Sequence, residues 1–377
     1  MKLVWSAVND DGLHFIGRAV DFLQGEFGPV GAEPLWSVDY FRWKLGAANP
    51  AGKGYISLAM AEDKVVGVVS LTRKRVLIDG VECAGGEVGD TYSSGTIRRN
   101  SKPANLSSLD PDPDSYINKS IFGRLASDVR SRAEEQGVTL IYGTPNKNAY
   151  PGWVKRLNYF DLTEYNNNSY SRPTAKLLTR KYPALNPLSP FLQAVDCSSQ
   201  AVHRILLGKG AGKGLECDAS VPATEEIDSL WIQVKPTRGF SLVRDALYWR
   251  HRYLENPIAQ YDFFSIRRQG KLVGIVVTRF AVATDSKRVV YLAEWMLEEQ
   301  VEFGYVLSFI MAHYRHTEVQ VFNFWARRGS REARAAAKAL FFSRHRIPII
   351  LADTPQARSL QDAVTCMKFY LGSSDAV

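Results

Sequence analysis

Apolar positions follow two rhythms along this chain. The segment "YISLAMAE" (55–62) meets the Val- and Ile-rich run "KVVGVVSLTRKRVLI" (64–78) at Glu62-Asp63, and "ECAGGEVGDTY" (82–92) follows. They predict three consecutive strands. Upstream, "HFIGRAVDFL" (14–23) and "SVDYFRWKLG" (37–46) have helical spacing. Downstream, "INKSIFGRLASDVRSRAEEQG" puts Ile117, Ile121, Leu125 and Val129 on one face, predicting a long helix that Gly137 ends. A buried strand over 138–143, a helix over 148–157 and a strand "YNNNSYSR" (165–172) complete the pattern. Strands first, then strand–helix–strand–helix, predict an α/β (α+β) mixed sheet with helices on both sides.

The pattern occurs twice. "YFRWKLGAANP" (40–50) followed by "KVVGVV" (64–69) resembles "LYWRHRYLENP" (247–257) followed by "KLVGIV" (271–276). Pro50 and Pro257, Gly67 and Gly274, and Glu87 and Glu294 are each 207 apart. Lys155 and Lys338, and Leu157 and Leu340, are 183 apart, so the first copy holds 24 extra residues. The polar stretch 93–115 is the place for them, and so long a loop inside a compact unit is disordered or functional. The implied division is residues 1–171, a connecting region 172–225, and residues 226–377.

Length agrees with duplication: 377 residues, 45% hydrophobic and 23% charged, exceed one ordinary core. The net charge of +8 suits an anionic partner such as a nucleotide, coenzyme A, RNA or an anionic surface, or serves solubility. No apolar run approaches the roughly 20 residues of a membrane span. The start "MKLVWSAVNDDGLHF" turns polar too soon for a signal peptide. Cys83, Cys197, Cys217 and Cys366 form no CxxC and read as reduced thiols of a cytoplasmic protein. His313 and His316 lack accompanying Cys or carboxylates, so no metal is expected. "LLGKGAGKGLE" (206–216) fails the P-loop pattern, with Leu207 where a Gly belongs and Gly214 where Ser or Thr belongs. "ARRGSREARAAAKAL" (326–340) reads as a basic helix with a solvated face.

In such sheets ligands sit where neighbouring strands part at their carboxyl ends. That gathers Glu87–Tyr92, the turn at 117–123 and Thr144–Tyr150 around one cleft. The turn in "DPDSYINKSIFGRL" is either a phosphate cradle at a helix start, with Lys119 adding charge, or a plain start capped by Asp114 or Ser115. Glu87 is the first candidate for a general base and Asp90 the second, unless each is a buried carboxylate paired with an Arg. Strict alternation sets them on opposite faces, and Gly86 and Gly89 make a bulge plausible. Tyr150 either protonates a leaving group or packs on the sheet. Asn146 either meets a ligand or caps a helix. Arg98, Arg99 and Lys102 in the inserted loop can grip acceptor phosphates.

The stretch "GEVGDTY … SYINKSIFGRL … LIYGTPNKNAYPGWVKRLNYFDL" resembles the GNAT superfamily of N-acyltransferases. "YINKSIF" stands where that family has a pyrophosphate-binding turn, and "TPNKNAYPGWVKRLNY" where it has Asn, an aromatic, Lys and Gly-aromatic. Ile117, Ser120 and Asn158 depart from the family's residues. The resemblance covers about 37–162, with the second copy a degenerate repeat. It implies a tandem GNAT-like enzyme, similar to acyltransferases found with surface-polysaccharide biosynthesis. The implied co-substrate is acetyl-CoA or another acyl-CoA, bound by Thr91, Tyr92, Asn118, Lys119, Ser120, Ile121, Phe122 and Asn146. The implied acceptor is an amino sugar, free or linked to a nucleotide or lipid, and no nucleic acid partner is expected. Two other readings stay open: an aminoacyl-tRNA-dependent Fem-like transferase, and a non-catalytic GNAT-like binding subunit.

Overall fold

A computed structural model of the chain describes residues 3–10, 12–27, 36–95, 101–103, 116–161, 165–171, 182–194, 214–237, 239–282, 287–314, 319–354 and 369–370, with 179 and 317 besides. The first copy runs β1 (Leu3–Asn9), α1 (Ile16–Phe27), α2 (Val38–Leu45), β2 (Tyr55–Ala61), β3 (Lys64–Ile78), β4 (Val81–Ser93) and β5 (Ser101–Pro103). It continues through α3 (Tyr116–Lys119), α4 (Ile121–Glu135), β6 (Leu140–Gly143), α5 (Tyr150–Arg156), β7 (Phe160–Asp161) and β8 (Tyr165–Ser171). The connection contains a 3-10 helix, Pro183–Leu188, that runs on helically over 189–194.

The second copy runs β9 (Leu215–Asp218), α6 (Thr224–Val234), β10 (Phe240–Leu242), α7 (Ala246–Trp249) with a π-helical turn over Arg250–Leu254, β11 (Asp262–Arg268), β12 (Lys271–Val282) and β13 (Arg288–Leu297). Then come α8 (Phe303–His313), β14 (Val321–Arg327), α9 (Arg331–Lys338), β15 (Phe342–Ile347), β16 (Ile350–Leu351) and β17 (Phe369–Tyr370).

The strands form two mixed sheets. One has ten strands in the order β5-β1-β2-β3-β4-β6-β16-β7, with β10 on β3 and β17 on β10. The other has seven, β15-β8-β14-β13-β12-β11-β9. A late strand of each copy has changed places. β16, from the end of the chain, lies between β6 and β7 of the first copy, with Ile350 beside both Gly143 and Asp161. β8, from the first copy, lies between β14 and β15. The sheets therefore cross the division expected at residue 171 in both directions.

The duplication shows in the backbone. Glu62 and Gln269, 207 apart, take left-handed φ values of 55° and 51° at equivalent hairpin turns. Near the end of each copy Asn158 and Leu340 do the same, at 56° and 57°. Their spacing is 182, one less than the expected 183. The 207 offset also fails along the central strands. Glu87 pairs with Thr72, whereas Glu294 pairs with Val277, two places nearer the turn.

Helices cover both faces of the first sheet. α4 lays Ile121, Leu125 and Val129 against β2 and β3, and all three are buried. A Cβ on Gly67 of β3 would meet the Ile121 side chain at 2.5 Å, so that crossing requires glycine. α1 and α2 bury Ile16, Leu23, Phe41 and Leu45 on the opposite face. One expectation is corrected here. The long helix is broken at Ser120, which is extended (φ −109°, ψ 129°), and Ile117 on the detached turn is exposed.

Candidate active site

The first copy opens where β4 and β6 part. They pair in parallel only from Gly85–Leu140 to Val88–Gly143. Just beyond, β4 bulges away from β3: the register jumps from Ser70–Gly89 to Val68–Tyr92, and Asp90 takes φ +45°. The bulge resolves the alternation problem, because Glu87 and Asp90 line the same cleft of about 520 Å³. Thr91, Tyr92 and Asn146 line it too, and also line a second chamber of about 870 Å³ that reaches Lys119, Ser120 and Phe122. The two chambers thus run from the strand carboxylates to the start of α4.

Both carboxylates hold cations, though Lys rather than Arg. Glu87 pairs with Lys74 at 2.9 Å. Asp90 pairs with Lys44 of α2 at 2.7 Å and accepts from Ser70 Oγ at 2.5 Å. Burial alone would pull the Lys44 ammonium down; Asp90 outweighs it and holds Lys44 above its usual range. Tyr40, one helical turn before Lys44, also lines the cleft, and burial raises its phenol.

At the far chamber Ser120 is the N-cap of α4, and its Oγ accepts from the Gly123 N–H at 3.3 Å. The candidate caps Asp114 and Ser115 lie outside the described residues. α3 folds tightly onto this start: a Cβ on Gly123 would come within 2.8 Å of the Tyr116 carbonyl. Lys119 and Arg156 flank the chamber, so cations stand beside a helix N-terminus whose first N–H groups point out of the helix. Asn118 is set differently: it is buried and accepts from Arg124 at 3.3 Å.

Other expected residues lie apart from this arrangement. The Tyr150 hydroxyl donates to Asp161 Oδ2 at 2.7 Å, which raises its pKa, and Tyr150 is not among the residues lining either chamber. Trp153 lines the cleft instead. Asn146 Oδ1 accepts from the Asn148 and Ala149 N–H groups, so its oxygen serves the turn into α5. Arg98 and Arg99 lie outside the described residues, as does the Lys102 side chain. Among the described residues no cluster of His, Cys, Asp or Glu could hold a metal.

Sequence reasoning missed Tyr40, Lys44, Thr72 and Lys74. A signal existed, since Tyr40 and Lys44 share a helix face in one half of the repeat, as Tyr248 and Arg252 do in the other.

The second copy's strands part in the same way, but its wedge is filled. β13 and β14 pair in parallel over Val289–Tyr291 with Val321–Asn323. Past that point Trp295 packs on Phe303 at 4.9 Å, Phe303 on Phe324 at 5.4 Å, and Phe324 on Phe341 at 5.3 Å. α8 starts at Glu302, which makes no side-chain cap bond, in an acidic segment holding Glu298 and Glu299. Glu294 is buried among Arg244, Tyr248 and Tyr253.

No family model matches the sequence, and no curated protein matches it. Solved structures match the fold. A conserved protein from Enterococcus faecalis V583, described as a probable N-acyltransferase, superposes with a TM-score of 0.57 at 13% identity, covering 92% of this chain and 72% of its own. A GCN5-related N-acetyltransferase from Anabaena variabilis gives 0.57 at 10% identity over the same shares. A tandem GNAT protein from the clavulanic acid biosynthesis pathway gives 0.52 at 14% identity, over 92% of this chain and 97% of its own. The fold is thus a GNAT-like α/β fold. More narrowly, it is the tandem arrangement, with two GNAT-like units in one chain and the second degenerate.

Proposed function

We propose that the chain is an acyl-CoA-dependent N-acyltransferase, with acetyl-CoA as the donor in the first copy. The observation that carries this is the pair of chambers sharing Thr91, Tyr92 and Asn146, one at the α4 start beside Lys119 and Arg156, the other at Glu87 and Asp90 on β4. The far chamber has the cations and helix start that a diphosphate needs, and the splayed strands leave room for an extended pantetheine arm. Thr91, Tyr92, Ser120, Ile121, Phe122 and Asn146 line that path.

The chemistry follows from the near chamber. The acceptor arrives as an ammonium and must lose a proton before its nitrogen can attack the thioester carbon. Glu87 takes that proton, directly or through water, once the incoming ammonium displaces Lys74 from it. Asp90 is the second carboxylate in reach, but Lys44 and Ser70 already hold it. The carbonyl oxygen gains charge as the C–N bond forms, and the Asp90–Thr91 peptide groups, out of the ladder at the bulge, are the donors for it. The C–S bond then breaks and the thiolate takes up a proton. Tyr40, whose raised pKa keeps it protonated, is the hydroxyl best placed to give one. Tyr150 could do so only after leaving Asp161.

The acceptor we propose is an amino sugar used in surface-glycan biosynthesis in the cytoplasm. The motif resemblance supports that choice, together with a near chamber whose charged and hydroxyl side chains suit a polyhydroxylated amine.

Calorimetric titration with acetyl-CoA tests the donor, with dephospho- and desulfo-coenzyme A as controls. Saturable micromolar binding is expected, lost in Ser120→Asp. Asp is itself a good N-cap, so this variant keeps the helix start while placing a negative charge in the cradle. No binding at millimolar acetyl-CoA would refute the reading and leave the tRNA-dependent and non-catalytic alternatives.

A further inference from the structure

We infer that the acceptor carries an anionic group, a carboxylate or a single phosphate, and that the second copy helps to hold it through Arg252. The inference rests on the transferase reading above and names the substrate class of the same site.

A small cavity lies between the copies and adjoins the near chamber, sharing Tyr40, Lys44, Thr72 and Glu87 with it. Its other wall is the second copy, with Val243, Tyr248, His251 and Arg252. The volume is about 50 Å³. A water needs roughly 10–15 Å³ by this measure, so the space suits a group of about three to five heavy atoms. That is the size of a carboxylate or one phosphate, and too small for a nucleotide.

Charge selects the sign of the occupant. Lys44, Arg73, Lys74, Arg75 and Arg252 line the cavity against one carboxylate, Glu87. Among the described residues, Asp90 on Lys44 and Glu82 and Asp245 on Arg75 offset part of that charge. His251 feels the same field: burial first, and then Lys74 and Arg252, lower its pKa to about 4, against an opposing pull from Glu255. Thr72 Oγ1 is buried and has no hydrogen-bond partner, which suits a ligand oxygen better than an apolar group.

The route by which Arg252 reaches the cavity is specific. It sits in the π-helical turn after α7, where both His251 and Arg252 meet the first copy. Trp43 of α2 fixes that turn. Its indole N–H donates to the His251 carbonyl at 3.0 Å, its ring stacks on the His251 ring at 4.9 Å, and the Arg252 guanidinium lies 5.9 Å from the Trp43 ring. By their N-caps, Ser37 and Asp245, Lys44 and Arg252 hold equivalent places in the two copies. Lys44 serves the catalytic strand of its own copy. In the second copy the buried carboxylate Glu294 is held by Arg244 and two tyrosines, and Arg252 extends into the neighbouring site.

The test uses the full chain, acetyl-CoA and a thiol-release assay with two matched acceptor pairs: glucosamine 6-phosphate against glucosamine, and γ-aminobutyrate against butylamine. In at least one pair the anionic amine is expected to have a kcat/KM about tenfold or more above its uncharged partner, and the preferred pair tells phosphate from carboxylate. Arg252→Gln should remove that preference, change the uncharged amine less than about twofold, and leave acetyl-CoA affinity unaltered. Arg252→Lys should recover part of the preference, which a purely structural role would not do. Equal rates within both pairs, or equal losses in Arg252→Gln, would overturn the inference. If no amine releases thiol, glucosamine 6-phosphate and γ-aminobutyrate are titrated directly. Saturable binding lost in Arg252→Gln would keep the subsite while the transferase reading falls. Binding indifferent to the substitution, or none, would overturn the subsite as well.

Discussion

The two copies solve the same geometric problem in opposite ways. Each parts its central strands after a short parallel ladder, three or four residues long. In the first copy the gap is left open, lined by Glu87, Asp90 and backbone from a bulge. In the second, Trp295, Phe303, Phe324 and Phe341 close it. The carboxylates differ in the same sense. Those of the first copy are each paired with a lysine ammonium, Glu87 with Lys74 and Asp90 with Lys44. Glu294 is locked by a guanidinium and two phenols, and is 1% exposed. An open wedge leaves its carboxylates lining a cavity, while a filled wedge gains burial and leaves no space beside its own.

The largest effect that would sharpen this contrast is on rate. Glu87→Gln should lower kcat by about 10²–10⁴-fold with the far-ultraviolet circular dichroism unchanged. If activity survives Glu87→Gln and Asp90→Asn, singly and together, the base assignment is wrong and the two copies differ less than their geometry suggests. Next is stability. Glu294→Ala leaves the Arg244 charge buried without its carboxylate, and should cost about 3–5 kcal/mol in denaturant unfolding. Acetyl-CoA affinity of the folded variant should not change. A rate defect without a stability defect would mean the second copy takes part in chemistry.

The smallest expected effect is a pH dependence at the junction. Folding lowers the His251 pKa from its ordinary 6.5 to about 4, so the folded state resists protonation there. Protons are then taken up preferentially on unfolding. The stability this group contributes is fully present above about pH 6.5 and is lost as pH falls towards 4. Thermal unfolding at pH 7 and pH 5 should show a larger drop for the native chain than for His251→Gln. Equal drops would show that the His251 surroundings do not disfavour its charged form.

Much of this was legible because it is local. The hairpin turns at Glu62 and Gln269, the buried stripe Ile121–Leu125–Val129, and the repeat itself are written in short-range pattern. The break at Ser120 was hidden in the helical spacing because Ile117 continues that spacing across it; Gly123 is what lets the Tyr116 carbonyl come so close to the new start. The partner of Tyr150 was hidden for a related reason. The place of Tyr150 at the start of α5 was readable, but Asp161, which captures its hydroxyl, comes close only through the fold. The junction residues Lys74 and Arg252 come from different copies, and nothing local joins them. The strand exchange was equally hidden, since "YNNNSYS" would serve as an edge-side strand in either sheet.

That exchange has a consequence for how the protein is made. The first sheet is closed by Ile350 and Leu351, which leave the ribosome 180 residues after Ser171. At roughly 5–20 residues per second, the wait is about 9–36 s. During it β6 and β7 have no strand between them, and their edges are open to any other chain nearby. β8 is meanwhile a finished strand whose own sheet has not been translated. A stop or long pause just before residue 350 would leave the second sheet with all seven of its strands and the first without the strand between β6 and β7.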